Sequence, residues 1–384
     1  MKLLKQALLR AALVTAVFAG FLLVGCAQPH PAVHFFADGR PQHLSEWQVV
    51  YSEGGRLQPN ERVVPYDLNT PLFSDYAHKF RTVWMPPGTA ARYSSTETFD
   101  FPVGSIISKT FYYPRAAGAD SAVLRTYDQS RDFSGRGLDL STVRLIETRI
   151  LVRREHGWEA LPYVWNASQT DAELARTGDE VSLELVASGE ANERFTYVVP
   201  NEVQCAGCHV ADLKAKSIAP IGLKARHLNR DYGYAGGAEN QLTHLQKIGY
   251  LADLPALGDV PRNANWRDAA APLDARARAY LDVNCAHCHS ATGPADTTGL
   301  TFESITASDR HLGICKPPVA AGRGTGDHLF DIVPGHPDDS ILPFRMNSRE
   351  PGVMMPEQGR STVHREGLAL IRDWIAAMPG QCGV

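Results

Sequence analysis

Hydrophobic and polar positions change rhythm along this chain, and the change divides it. The middle stretch alternates. Val181-Ser182-Leu183-Glu184-Leu185-Val186 has period two, so one face is buried and the other is wet. Arg144 to Val152 reads as a strand, His156-Gly157 as a turn, and Trp158 to Trp165 as the returning strand of a hairpin. Arg194 to Val199 and Ser105 to Tyr113 read as further strands, the latter mixing β-branched and aromatic residues suited to a pleated surface. Pro86-Pro87-Gly88, Pro102-Val103-Gly104 and Gly135-Arg136-Gly137 punctuate these runs. Beyond residue 200 the rhythm becomes helical. Leu223 to Asn229 and Gln241 to Leu251 are short helix candidates, following a break at Pro220-Ile221-Gly222. Leu273 to Asn284 puts Leu273, Ala277, Tyr280 and Leu281 on one face. Leu368, Ile371, Trp374, Ile375 and Met378 form an apolar stripe that stops at Pro379-Gly380. The expected fold class is α+β, with a β-sandwich-like N-terminal part followed by an α-helical region.

The first residues change the picture of where the protein works. Lys2, Lys5 and Arg10 precede the apolar run Ala11 to Val24, which is too short for a comfortable membrane span. The run ends in Leu23-Val24-Gly25-Cys26, which resembles a bacterial lipobox and predicts a lipoprotein signal peptide over 1–25 with Cys26 lipidated. Ala27 in place of an aspartate resembles the lipoproteins sorted to the outer membrane. Residues 26–45 are polar with scattered prolines and are expected to be a tether. Three further segments are expected: a β-rich domain over 46–200, a region over 201–265 and a helical domain over 270–384. The net charge of −4 and the lack of a basic run give no sign of nucleic acid as a partner, and none is expected. Tyr66, Tyr76, Tyr112, Tyr113, Trp84, Trp158 and Trp165 could line a sugar-binding surface, although core packing is their commoner use.

Candidate chemistry lies in the cysteines. Four of the seven stand in Cys205-Ala206-Gly207-Cys208-His209 and Cys285-Ala286-His287-Cys288-His289. Cys-x-x-Cys-His is the attachment pattern of a c-type haem. The two thiols add to the vinyl groups, and the histidine that follows is the proximal iron ligand. On a helical turn, positions three and four apart share a face, so the thiols grip one porphyrin edge while the histidine points beneath its centre. Cys205, Cys208 and His209 would hold one haem, and Cys285, Cys288 and His289 a second. A zinc site would instead need the two pairs to converge on one metal, and a redox dithiol would need a βαβ setting. His287, inside the second motif, reads as solvent-facing filler. His289 should have its other ring nitrogen fixed by an acceptor, for which the Pro294 carbonyl is the expected partner. An exported chain meets an oxidising compartment, so the leftover Cys315 and Cys382 are expected to pair.

Residues 270–384 resemble a class I cytochrome c domain: a helix running into Cys285, a C-terminal helix, and Val353-Met354-Met355-Pro356 between them. That resemblance implies crossing helices, with Tyr280 against Trp374, and Met355 as the sixth ligand of the second iron. Met354 and Met346 are the competitors. The chain beyond the signal also resembles a family of exported bacterial dihaem c-type cytochromes. The residues that carry the likeness are Tyr66 to Lys79, Pro102-Val103-Gly104 with Lys109-Thr110-Phe111, Tyr163-Val164-Trp165-Asn166, Pro200 to His209, Pro220-Ile221-Gly222 with Leu228-Asn229, and Pro334-Gly335-His336-Pro337 with Ser340-Ile341-Leu342 and Arg345-Met346. The likeness implies two covalently bound haems and a β-rich N-terminal part. No Met-Pro follows the first motif. Its sixth ligand is left among His227, His244, His78 and Met85, or an open site.

The expected function is electron transfer by a periplasmic, lipid-anchored dihaem cytochrome whose partner is an exported oxidoreductase or another carrier. The alternative is a dihaem peroxidase-like enzyme with an open iron at the first haem. A third possibility is a β region that docks a partner dehydrogenase or a sugar.

Overall fold

The alternating segments become strands with the registers their patterns require. In chain order they are β1 (Val50–Glu53), β2 (Arg56–Pro59), β3 (Val64–Tyr66), β4 (His78–Trp84), β5 (Ala91–Arg92), β6 (Ile106–Pro114), β7 (Ala122–Leu124), β8 (Phe133–Ser134), β9 (Gly137–Asp139), β10 (Val143–Arg154), β11 (Gly157–Trp165), β12 (Ala172–Leu174), β13 (Asp179–Val186) and β14 (Glu193–Val199). The β10–β11 hairpin closes at Arg154↔Gly157, and Gly157 takes a φ of +127°, which a side chain would resist. The computed structural model describes residues 30–214, 217–319 and 321–383. From Val33 onward they form one compact unit. The fold is α+β, with mostly antiparallel sheets and separate helices.

A six-stranded antiparallel sheet in the order β12-β11-β10-β6-β4-β3 is the centre. Strand residues alternate between its faces. Phe80, Ile106, Tyr112, Ile150, Leu161 and Tyr163 share a core with Trp47, Leu57 and Leu138, the last two from the four-stranded sheet β1-β2-β9-β8. On the opposite face, Phe111 and Tyr113 pack on Leu183 and Tyr197 of the β14-β13-β7 sheet. Val83, Ile107 and Leu151 on that same face join Cys205, Leu223, Leu242 and Val283 from the helical part. Tyr66, Tyr76, Tyr112, Tyr113, Trp84 and Trp165 are all buried. They are core, as burial of both sheet faces demands.

The chain enters this core earlier than the tether reading of 26–45 allowed. His34 N–H donates to the Trp47 carbonyl at 3.0 Å, Phe36 meets Trp47 edge-on at 5.1 Å, and Leu44 is buried. Two phenylalanines in a proline-spaced segment supplied enough apolar area to hold it down.

Six helices follow: α1 (Glu202–His209), α2 (Ala225–Leu228), α3 (Gln241–Lys247), α4 (Leu273–Asn284), α5 (Ile341–Asn347) and α6 (Arg365–Ala376). Among the described residues, no helix is long and apolar enough to cross a membrane. α4 and α6 pack together, with Leu281, Ile371, Trp374 and Ile375 in one core. The close approach is at Gly367, where a Cβ would meet the Tyr280 ring at 2.5 Å. Tyr280 hydroxyl bonds His364 Nδ1 at 2.8 Å, while Trp374 Nε1 reaches Asp274 at 2.8 Å.

The stretch from Tyr66 to His78 ties sheet to helices. Asp67 accepts from Arg81 at 2.8 Å and from Arg230 at 3.0 Å. Phe73 N–H donates to Asn284 Oδ1 at the end of α4, at 2.8 Å. The buried Asp75 carboxylate takes the backbone N–H groups of Ser361 and Thr362, both at 2.7 Å. Phe73 stacks on His364 at 4.1 Å, and Tyr127 holds the remaining His364 nitrogen at 2.7 Å.

Candidate functional site

The first motif is built on α1. Asn201 caps it reciprocally with Gln204, whose N–H donates to Asn201 Oδ1 at 2.8 Å while Gln204 Oε1 accepts from Asn201 N–H at 3.0 Å. That box starts the helix one residue before Glu202, so Cys205, Cys208 and His209 fall on consecutive turns of one face. A short hairpin then folds back. Ala219 N–H donates to the His209 carbonyl at 2.8 Å, and His209 Nδ1 donates to the Ala219 carbonyl at 2.8 Å. A carbonyl can only accept, so the ring proton sits on Nδ1 and Nε2 keeps its lone pair. Burial, then Lys109, holds the His209 pKa down to about 3, so the ring is neutral.

The second motif repeats the geometry on a different lead-in. α4 runs into Cys285, and the turn continues with His289 N–H donating to the Cys285 carbonyl at 2.9 Å. Gly293 lies so close beneath that a Cβ would stand 2.4 Å from the Cys288 carbonyl oxygen, so the returning loop needs glycine there. His289 Nδ1 meets Thr298 Oγ1 at 3.2 Å. Thr298 spends its own proton on the Ala295 carbonyl at 2.7 Å, so it accepts from the imidazole and again leaves Nε2 free. The acceptor is thus Thr298 and not the expected Pro294 carbonyl. The 310 turn at 296–298 carries the hydroxyl over the ring, a placement that sequence spacing does not reveal.

Met355 lies on a loop held against the end of α5. Its N–H donates to the Arg345 carbonyl at 3.1 Å, and its carbonyl accepts from Arg360 at 3.0 Å. Arg345 also donates to the Val353 carbonyl at 2.9 Å and bears on His289, lowering its pKa after burial. Glu357 bears on Cys288. Met354 is beside Met355 on the same loop, half-buried like it, whereas Met346 is buried in the core beneath.

The two motifs are neighbours. Leu213 N–H, just after the first, donates to the Thr292 carbonyl, just after the second, at 3.0 Å. The Cys208 thiol bears on Cys288, and the His287 ring bears on His209. Beneath the first motif the central sheet presents a row of cations. Arg81, Lys109 and Arg149 are directly paired across β4, β6 and β10. Arg81 has Asp67, and Arg149 has Glu147 at 2.8 Å. Among the described residues Lys109 has no hydrogen bond or ion pair; it lies 5.2 Å from the centre of the Phe111 ring. Burial, then Arg149 and Arg81, push its pKa down to about 7. Sequence reading missed this row; its signal was basic residues on the buried parity of three paired strands.

The four motif thiols are unpaired, and burial pushes them up, Cys205 to about 11 and Cys285 and Cys288 to about 12. A redox dithiol needs the opposite shift. Among the described residues, no group of three or more His, Cys, Asp or Glu side chains converges as a site for a bare metal ion. The donor set fits a haem at each motif: two thiols, then a neutral, tautomer-fixed imidazole one position on.

The histidines considered for the first motif's sixth ligand are engaged elsewhere. His227 is buried with Asn263 Nδ2 at 3.4 Å from Nδ1 and Asp282 at 3.7 Å from Nε2. His244 bonds Glu239 at 2.6 Å and stacks on Tyr234 at 3.5 Å. Both nitrogens of His78 are taken, by Asp132 and the Thr126 carbonyl, each at 2.7 Å, on the far face of the sheet. Met85 is core. His287 is half-buried rather than solvent-facing, and its Nδ1 is enclosed near the Val283 carbonyl one turn back. Cys315 and Cys382 form a disulfide, with Cα atoms 5.2 Å apart. Cys26 lies outside the described residues. Compared with known protein families, with curated proteins and with solved structures, the chain matched none.

Proposed function

We propose that this chain is a dihaem c-type cytochrome that carries electrons. The observation that supports it is the repeated arrangement at His209 and His289. In each, a cysteine pair on one helical turn is followed by a buried imidazole whose Nδ1 is tied to an acceptor, leaving Nε2 as the ligating nitrogen. A bound haem supplies a one-electron ferric/ferrous couple. The protein's part is to fix the imidazoles, shut out water and set the charge around each site. Met355 is the proposed sixth ligand over the second motif, which favours the reduced iron and a high potential.

In this reading the strands form a β-sandwich-like N-terminal domain, followed by a first haem-binding region and a C-terminal domain of class I cytochrome type. The export signal, with Cys26 as the lipidated residue, would place the protein in the periplasm, lipid-anchored at the outer membrane, with an exported oxidoreductase or another carrier as partner. The test is haem staining after denaturing electrophoresis, with iron analysis and a redox titration. Two covalent haems per chain that titrate reversibly are expected; iron matching one haem or none, or no redox change, refutes the reading.

One observation favours the second reading, a peroxidase-like enzyme. His227, His244 and His78 are all held by other partners, which would leave the first iron open. A high-spin ferric signal that shifts with peroxide or cyanide would select it.

A further inference from the structure

The hairpin before α3 has no core of its own. Its strands, Asp231–Tyr234 and Gly237–Asn240, are paired from Asp231↔Asn240 to Tyr234↔Gly237, and between 232 and 238 every residue but Tyr232 and Tyr234 is glycine or alanine. A two-stranded ribbon is marginal alone. The two tyrosines are two apart on one strand and so share a face. Both line a cleft of about 760 Å³. The rest of its lining comes from three places far apart in sequence: Arg62 and the start of β3, the β8–β9 turn with Phe133 and Arg136, and the end of α3 with His244, Ile248 and Tyr250. Phe133 and Ile248 are 37% and 39% exposed, unusual for large apolar side chains in this fold. The charge on the lining has one sign. Arg62 and Arg136 contribute cations, and no acidic, amide or hydroxymethyl side chain lines the cleft, although the chain as a whole has a net charge of −4. Neither guanidinium has an acidic partner among the described residues; that of Arg62 lies 5.7 Å from the centre of the Tyr250 ring. Arg62 also holds a φ of +62°, where glycine is favoured and an L side chain is strained. Such outliers cluster where a ligand is clamped. His244 stacks on Tyr234 at 3.5 Å. Its Nδ1 donates to Glu239 at 2.6 Å, because a carboxylate accepts, which leaves Nε2 without a partner among the described residues. Glu239 is in turn met by Lys247 at 3.6 Å.

We propose that this cleft binds an aromatic carboxylate, its ring among Tyr232, Tyr234 and Phe133 and its charge met by Arg62, Arg136 and His244. None of these residues belongs to either cysteine motif, so the inference does not rest on the dihaem reading. The volume is that of a small-molecule site, and such sites are mostly apolar with a few placed polar groups. The lining decides the class. A sugar would need acidic, amide or hydroxyl side chains for its many hydroxyls, and of the tyrosine hydroxyls here, that of Tyr250 is already spent on the Arg62 carbonyl at 2.7 Å. Hydroxyls buried without partners cost free energy. A single anionic head on a flat apolar body leaves no such groups. Guanidinium matches a carboxylate in two parallel hydrogen bonds, and a carboxylate brought to His244 favours the protonated ring, which then donates from Nε2.

The test is isothermal titration calorimetry on the full chain as purified, with three probes: 2-naphthoate, the uncharged 2-naphthalenemethanol of the same ring, and inorganic phosphate. Wild type is expected to bind one 2-naphthoate per chain, about tenfold tighter than the alcohol, and phosphate should not displace it at matching concentration. Arg136→Gln, on an exposed turn, should raise the dissociation constant about fivefold or more, the share of one charge-assisted contact. Arg62→Gly should do the same while the urea midpoint does not fall, since glycine suits that backbone. If the midpoint of Arg62→Gly does fall, Arg136→Gln is the deciding variant. The proposal is overturned by no saturable binding of 2-naphthoate to wild type at millimolar concentration, by equal binding of the alcohol, by displacement with phosphate, which would mean a bare anion site, or by an unchanged dissociation constant in a folded arginine variant.

Discussion

Replacing Arg226 by methionine should destabilise the protein by about 3–5 kcal/mol, the usual cost of stranding one partner of a buried ion pair. Arg226 on α2 is 1% exposed and joins the segment after the first motif to α4, which leads into the second motif. Its guanidinium donates to Asp282 through Nε at 2.6 Å and Nη2 at 3.0 Å, to the Thr96 carbonyl at 2.6 Å, and to Glu303 at 3.2 Å. Asp282 is itself 4% exposed, and without Arg226 it keeps only Asn263 at 2.9 Å and His227 at 3.7 Å. Burial alone would raise the Asp282 pKa, but the Arg226 hydrogen bonds and the His227 and Arg226 charges hold it well below the usual carboxylate range. Urea unfolding followed by tryptophan fluorescence measures the loss. With a slope of about 3 kcal/mol per molar, the midpoint should fall by about 1–1.7 M. The sign with pH is fixed. A depressed carboxylate contributes stability that is fully present above its unfolded value of about 4 and is lost as pH falls through the folded one. The gap between wild type and variant should therefore narrow below about pH 4. Adding Asp282→Asn to the variant should restore most of the stability, because the stranded charge is gone. A single variant that loses under about 1 kcal/mol, or a double variant whose losses simply add, would refute the reasoning.

Other expectations follow from the same geometry. Lys109→Met removes a partnerless cation from between Arg81 and Arg149, so urea stability should rise by about 1 kcal/mol. In the haem-loaded protein it should lower one midpoint potential without changing spin state, and an unchanged pair of midpoints would contradict the placement of that charge. Breaking the disulfide with Cys315→Ser and Cys382→Ser frees a loop of sequence separation 67, worth about 4 kcal/mol in chain entropy; unfolding under non-reducing conditions should show the loss, and equal midpoints would speak against the bridge. His364 is held down to about 3 by burial, then Lys79 and Arg360, and His227 to about 4, also chiefly by burial. Unfolded chains bind those protons near pH 6.5. Stability should therefore fall as pH drops from about 6.5 towards 4, by up to about 1.4 kcal/mol per unit for each histidine, and a urea midpoint constant from pH 7 to 5 would exclude it.

What the sequence determined alone is what is local. The run Leu273–Asn284 became α4 with those ends, because its apolar face and its lead into Cys285 are set within a few turns. The hairpin from Val143 to Trp165 closed where His156-Gly157 stands, because a glycine free to adopt positive φ selects the turn. The cysteine-histidine spacing put the first set on one helical face for the same local reason, and the second on the turn that continues α4. Tertiary structure decided what depends on residues far apart. Thr298 rather than Pro294 takes the His289 ring, through a turn whose path depends on Phe302 returning to the His289 carbonyl. Lys109 sits between two arginines only because β4, β6 and β10 pair in one register. His287, polar and inside a short motif, reads as a surface residue, yet the fold leaves its Nδ1 buried. Pattern reports which face of an element is apolar; which partner covers that face is settled by packing across distances of a hundred residues or more.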